Sequence, residues 1–259
     1  ARFRLALGGA KLGRLFRPLV PKVLRPMLEL APATVPPAVA LPRLTPAQGE
    51  RRARVALLAG CAQQVLDPDI NVATIEVLAR NGVEVVVPAG QGCCGGLAWH
   101  TGDLRAAQAF ARMNLDAFPA DVDAILTNAA GCGSAMHEYH LILRGTADEA
   151  RANAMRKRVV DVSVFLARLG LREQPRGGSA RKVAYHDACH LANAQGVRDE
   201  PRKLLRAIPG VEVCELRDAH LCCGSAGTYN LDQPETASSL GAQKVRAVLA
   251  TGAEMVASG

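Results

Sequence analysis

Apolar positions along this chain follow two alternating patterns. Short runs of mostly apolar, often β-branched residues lie at 55–59, 83–87, 123–127, 183–185, 211–214 and 253–257. Such runs predict strands. Between them, the stretches 71–80, 103–117, 200–207 and 233–250 repeat their apolar residues at helical intervals. Strands alternating with helices predict an α/β protein with parallel sheets. Before residue 50 the pattern changes. Phe3, Leu5, Leu7, Leu12, Leu15, Phe16, Leu19 and Val20 recur at helical spacing with Arg and Lys between them. Pro21, Pro26, Pro32, Pro36 and Pro37 then cut the helix short and turn it into an extended connector.

The pattern repeats. Val55-Ala56-Leu57-Leu58-Ala59-Gly60-Cys61 matches Val183-Ala184-Tyr185-His186-Asp187-Ala188-Cys189. Gly82-Val83-Glu84-Val85-Val86 matches Gly210-Val211-Glu212-Val213-Cys214, and Cys93-Cys94-Gly95 matches Cys222-Cys223-Gly224. Self-similarity at a fixed offset means two copies of one supersecondary unit. Pro175, Gly177, Gly178 and Ser179 fall where the copies should join. The expected organisation is a linker over 1–50, a first unit over 51–170, a join over 171–182 and a second unit over 183–259.

Charge sharpens this division. The net charge is +7, but residues 1–50 hold eight of the 31 basic residues and two of the 24 acidic ones. The rest of the chain is therefore close to neutral. The basic excess belongs to the arm. That arm reads either as a connector packing on a neighbouring domain or as a docking element for an acidic partner or an anionic membrane surface. Aromatic residues make up 3%, too few for stacking platforms, so nucleic acid is not an expected partner. No apolar stretch reaches 18 residues.

The eight cysteines carry the candidate chemistry. Cys61, Cys93, Cys94 and Cys132 each follow a predicted strand, as do Cys189, Cys222 and Cys223 in the second unit. In an open parallel sheet the carboxyl ends of strands meet at one edge, so these thiols should converge. Converging thiolates select soft metals, either iron–sulfur or zinc. Zinc sites commonly use Cys-x-x-Cys knuckles, which are missing here. Adjacent cysteines suit different irons of a multinuclear cluster better than two corners of one tetrahedron. Cys214 aligns with Val86 inside a strand and is expected to be a core residue. His100, His186 and His190 lie near the thiols. They either ligate or move protons there, or are neutral rings bonded to nearby backbone. Trp99 and Tyr229 follow the Cys pairs and are expected to pack over the sites. The chain shows no Ser-His-Asp set and no phosphate loop, so no catalytic residue is assigned. Gly8-Gly9 and Gly177-Gly178 lack the spacing of a dinucleotide fingerprint.

A Cys followed some 31–32 residues later by Cys-Cys-Gly, twice over, resembles the cysteine-rich (CCG) domain family. That family includes the cysteine-rich subunit of heterodisulfide reductase and the iron–sulfur subunits of glycolate oxidase, lactate-utilisation and anaerobic glycerol-3-phosphate dehydrogenase systems. The likeness is closest to the glycolate oxidase type. It is carried by residues 93–100, by Asn128-Ala129-Ala130-Gly131-Cys132-Gly133-Ser134 with Glu138-Tyr139, and by Leu221-Cys222-Cys223-Gly224-Ser225-Ala226-Gly227-Thr228-Tyr229. The resemblance implies two tandem, pseudo-symmetric CCG units with short parallel sheets behind a basic helical linker. It implies an iron–sulfur cluster of the 4Fe–4S type held by Cys61, Cys93, Cys94, Cys132, Cys189, Cys222 and Cys223. It further implies an electron-transfer subunit working with a flavin (FAD) subunit that oxidises glycolate to glyoxylate, and with a quinone or other acceptor. The implied location is cytoplasmic, at the inner face of the membrane. The alternatives are a thiol/disulfide or heterodisulfide reductase-type protein, or a lactate or glycerol-3-phosphate system.

Three departures qualify the likeness. Ala135 stands three residues after Cys132, where heterodisulfide reductase has a further Cys. Ala188 replaces the usual Pro in His186-Asp187-Ala188-Cys189-His190. The second unit has three candidate thiols rather than four. The expectation is an internal fragment, with a ferredoxin-like domain carrying two more 4Fe–4S clusters before Ala1 and an Asn-x-Gly-Cys after Gly259.

Overall fold

The computed structural model describes residues 2–21, 25–173 and 175–259. Lys22 of the basic arm, Gln174 of the expected join and the side chains of Arg2 and Leu15 lie outside the described residues.

The arm forms α1 (Arg2–Leu15), a 3-10 turn at Arg17–Leu19 and α2 (Arg25–Leu30). Its arginines work locally. Arg14 Nε donates to Leu28 O at 2.9 Å and Arg17 pairs with Glu29 at 2.7 Å. Leu7 is buried, while Leu5, Leu12 and Leu19 stay exposed.

The first unit then runs β1 (Leu44–Thr45), β2 (Ala53–Leu57), α3 (Gln63–Leu66), α4 (Asp69–Arg80), β3 (Val83–Val86), α5 (Gly96–His100), α6 (Leu104–Ala117), β4 (Ala124–Thr127), α7 (Ala130–His137), α8 (Tyr139–Ile142), α9 (Glu149–Arg156), β5 (Val159–Asp161) and α10 (Val162–Leu169). Its five strands lie in the order β1–β3–β2–β4–β5, all parallel except β1, which pairs antiparallel with β3. Alternating residues of β2 feed two cores. Val55 and Leu57 join Ile75, Leu78 and Leu126 on one face. Ala56 and Leu58 join Ala107, Ala111, Met136 and Tyr139 on the other. Helices cover both faces, which is why these strands read as continuous apolar runs. Asp103 caps α6 by accepting from Ala106 N at 2.9 Å, and Asp161 caps α10 by accepting from Ser163 N at 2.8 Å.

The second unit runs β6 (Arg181–His186), a π-helical turn at His190–Ala194, α11 (Asp199–Arg206), β7 (Val211–Glu215), α12 (Tyr229–Asp232), α13 (Pro234–Leu249) and β8 (Met255–Ser258). Its parallel sheet has the order β7–β6–β8. This is the order β3–β2–β4 again. Even the register repeats, since Ala56 pairs with Val86 and Ala184 with Cys214. The α/β architecture with two repeated units and short parallel sheets is thus as the pattern predicts.

Two expectations need correction. Cys214 sits in the strand position anticipated for it, but β7 is a sheet edge and its thiol is only half-buried. Tyr229 is exposed at the start of α12 rather than packed over a thiol site. Two short strands also went unread. Leu44 and Thr45, within the stretch expected to be linker, add an antiparallel edge, and β5 extends the other side.

Candidate metal centre

The strand order of the first sheet reverses at β2. The chain leaves β2 for β3 on one side, then crosses back to β4 on the other. A crevice opens at such a switch point, at the carboxyl ends of the strands. Cys61 follows β2, Cys93 and Cys94 follow β3, and Cys132 lies in the first turn of α7 after β4. All four come together. Cys61 hydrogen-bonds to Cys93, Cys93 to Cys94, and Cys94 to Cys132. Cys61 is exposed at the mouth, Cys93 and Cys132 are half-buried, and Cys94 is buried.

Crowding decides which thiols ionise. Cys93 accepts hydrogen bonds from Cys61 and Cys94 and is held well below the usual thiol range. Cys132 accepts from Cys94 and is also lowered. The donors keep their protons: the bond to Cys93 raises Cys61, and the bonds to Cys132 and Cys93 raise Cys94. Four neighbouring sulfurs cannot all be anions without positive charge among them. Among the described residues, no three His, Cys, Asp or Glu converge on a point that could hold a single metal ion. The sulfurs instead form a row of neighbours. A cleft of about 270 Å³, lined by Gly60, Cys61, Thr127, Asn128 and Cys132, opens beside them. The Thr127 hydroxyl is buried there without a partner. A row of thiols with amide donors aimed at it, beside an unfilled cleft, fits a multinuclear iron–sulfur group better than one zinc ion.

Backbone geometry supplies those donors. Gly95 has φ 80° and its N–H points at Cys93 Sγ at 3.4 Å. Backbone N–H groups of Ala62 and Gly96 favour the thiolates of Cys61 and Cys94. Side chains then lock the loop. Asn114, fully buried in α6, accepts from Gly92 N at 3.1 Å and donates to Cys93 O at 2.9 Å and to the Tyr139 hydroxyl at 2.8 Å. Tyr139 donates to Cys94 O at 2.9 Å, and burial pushes its phenol far up, so it stays a donor. Trp99, like Cys93 and Cys132, packs against the core of the first unit, and its indole N–H donates to Glu138 at 2.7 Å. The Cys61 loop is held by amides: Gln63 donates to Asn71 and Asn128, and Asn71 donates to Ala59 O at 2.7 Å.

The second unit repeats the device with three thiols. Burial raises the Cys189 thiol, and the nearby Cys222 and Cys223 raise it further. Gly224, at φ 82°, points its N–H at Cys222 Sγ at 3.3 Å. The loop between β6 and Cys189 is fixed by ions. Arg202 donates to both oxygens of Asp187, at 2.9 and 2.7 Å, and to Glu215 at 2.7 Å, over the Tyr185 ring at 4.5 Å. The Asp187 and Arg202 side chains are 6% and 11% exposed. A buried pair of this kind fixes the loop because losing either partner strands the other charge. Arg202 holds the Asp187 carboxyl below its ordinary range. Its contribution to stability is therefore full above the unfolded carboxylate pKa of about 3.9 and is lost as pH falls through the depressed folded value. Asp187→Asn is expected to lower stability at pH 7 and to flatten its fall below pH 4, read by urea unfolding across pH.

The histidines divide. His186 Nδ1 meets Ser258 Oγ at 3.0 Å, while its Nε2 is buried without a partner. Burial, and then the charge of Lys244, disfavour its protonation. His100 and His190 stack across the two units, with centroids 5.6 Å apart and planes 19° apart. Three bonds clasp the same interface: Ser134 Oγ donates to His190 O at 3.2 Å, and Gln195 Nε2 donates to Ala130 O at 2.9 Å and to Ser134 Oγ at 3.4 Å.

Sequence reasoning missed Asn114, the Gln63–Asn71–Asn128 amides and Arg202. A signal existed for Asn114, which stands on the apolar face that Ala107 and Ala111 define in α6.

The chain is similar in sequence to known proteins. The family description "Cysteine-rich domain" (CCG) matches residues 55–137 and 183–259. The probable glycolate oxidase iron-sulfur subunit of Bacillus subtilis is 37% identical over 218 residues, covering 83% of this chain and 49% of that protein. The glycolate oxidase iron-sulfur subunit of Escherichia coli is 36% identical over 257 residues, covering 95% and 59%. Lactate utilization protein A of Oceanobacillus iheyensis is 31% identical over 210 residues, covering 80% and 84%. The chain thus spans about half the length of the first of these relatives and three-fifths of the second.

Proposed function

The chain belongs to the cysteine-rich (CCG) domain family, and from that premise we propose that it is the electron-relaying, iron–sulfur part of an oxidoreductase acting on glycolate. The observation that carries this reading is the row Cys61–Cys93–Cys94–Cys132 at the sheet's switch point, repeated as Cys189, Cys222 and Cys223. These seven residues are the proposed ligands. A bound iron–sulfur group supplies storage of single electrons at a potential set by its surroundings.

The chain's own residues do the rest. The N–H groups of Gly95 and Gly224 aim at Cys93 and Cys222. Such donors stabilise sulfur in its more negative state. Asn114 and Tyr139 hold the first Cys pair by its backbone, and Arg202 with Asp187 holds the Cys189 loop. None of these residues is placed to take a hydride from an alcohol. Substrate oxidation is therefore assigned to a flavin-bearing partner subunit, and a quinone or another acceptor takes the electrons onward. Glycolate is preferred because two of the relatives carry it in their names; lactate utilization in a third makes another 2-hydroxy acid the second choice. Among the described residues no helix is long and apolar enough to cross a membrane. Any membrane association of this part would then be peripheral and would use the basic arm.

The test is elemental. Protein purified without oxygen is expected to contain iron and an equivalent amount of acid-labile sulfide, with both lost together on chelation. Zinc without iron defeats the proposal. A metal-free chain with a reversible Cys93–Cys94 disulfide would favour thiol redox chemistry instead.

A further inference from the structure

The two thiol sites are built alike but are not charged alike. Gly95 and Gly224 stand directly after their Cys pairs with φ 80° and 82°. A Cβ on Gly95 would meet Phe110 Cβ at 3.0 Å and Ala107 O at 3.5 Å, both in α6, and one on Gly224 would collide with Ala237 O in α13. Helices α6 and α13 therefore press on the two loops in the same way, and Ala107 corresponds to Ala237. Seven residues further, two turns along the same face, stand Asn114 and Lys244.

Asn114 is neutral, 0% exposed and fully bonded to the first Cys loop. Lys244 is 8% exposed, and its ammonium donates to Asp218 O at 3.3 Å and Ala219 O at 3.2 Å. Among the described residues it makes no ion pair. Asp218 has φ 56°, the one positive φ outside glycine among the described residues. Few residues with a side chain adopt that conformation, Asp more readily than most. A buried ammonium with only two long carbonyl bonds is itself unfavourable unless a negative group lies near. The negative group at hand is the second thiol site. Lys244 shares with Cys222 a cleft of about 370 Å³ that Arg217 and Arg246 also line.

We propose that Lys244 is the charge-setting residue of the second thiol site, and that the exchange of neutral Asn114 for this buried ammonium makes the second site the stronger electron acceptor of the two. This rests on the iron–sulfur reading of both sites. An added electron makes a site more negative. A fixed cation beside it favours that state by Coulomb attraction, which burial strengthens. A neutral amide at the corresponding place does not. Lys244 is thus a positioning residue for charge, not a ligand.

Reductive titration of the intact, anaerobically purified protein, followed by electron paramagnetic resonance, tests this. Cys189→Ser identifies the second-site signal by removing it. Lys244→Gln is expected to move that signal's midpoint to a more negative potential and to leave the first site's midpoint in place, while Lys244→Arg stays near the wild type. Loss of second-site iron in the Gln variant but not in the Arg variant also supports the proposal, since charge alone separates them. An unmoved midpoint with iron retained overturns it, as does equal loss of iron in both variants. A wild-type protein without iron overturns the iron–sulfur reading itself, a result distinguishable from failure of the charge argument alone.

Discussion

Cys94→Ser is expected to strip the first site of its iron, whereas Cys214→Ser is expected to leave iron per chain unchanged. Cys94 is the buried thiol of its row and the only one bonded to both Cys93 and Cys132. Serine there keeps the volume but loses a soft, easily ionised donor, and a hard hydroxyl is a poor ligand for iron–sulfur chemistry. Cys61→Ser and Cys132→Ser at the ends of the row are expected to lower iron as well. The Cys214 sulfur lies 4.0 Å from Glu212 O on the edge strand β7. Iron and sulfide analysis of the variants, each checked for folding by circular dichroism, reads the difference. Equal losses at Cys94 and Cys214 would end the division of the cysteines into seven ligands and one bystander.

The second large effect is expected at Gly224. Alanine there must adopt φ 82° and drive its Cβ into the backbone oxygen of Ala237. The left-handed conformation costs about 1–2 kcal/mol, and overpacking against an atom that cannot swing aside adds about 1–3 kcal/mol. Gly227 provides the comparison. It has φ 54° but nothing within 4 Å of its would-be Cβ. Gly227→Ala should therefore cost only the conformational part. Denaturant unfolding of both variants separates the two contributions. Gly224→Ala should also disturb the second site, because the same residue supplies the N–H that meets Cys222. Similar losses at both glycines would show that the close packing of α13 on this loop is not what Gly224 serves.

Periodicity made the repeat legible. Six strands and four long helices announced themselves because each buries an apolar run or stripe. The thiols could be assigned to one edge because parallel strands end together. What escaped had too little pattern or depended on distant partners. Leu44–Thr45 and Val159–Asp161 are two and three residues long, shorter than any period can show. Arg202 finds Asp187 fifteen residues away and Glu215 thirteen away, a meeting that only the fold arranges. Asn71 and Asn114 are polar residues that serve backbone atoms, and Asn128 bonds the side chains of Gln63, Asn71 and Thr74. In a sequence they look like any solvent-facing amide. Cys214 was misplaced because the repeat fixed its register but not the edge position of its strand.

The clasp between the units has a bearing on how the family can change. Two of its three bonds end on main-chain carbonyls, those of His190 and Ala130. A carbonyl persists through every substitution of its own residue. Ser134 and Gln195 are also joined to each other, so replacing either side chain removes two of the three bonds at once. The His100–His190 stack and the apolar cluster of Ala130, Val164, Leu191 and Val197 are then left to hold the two units together.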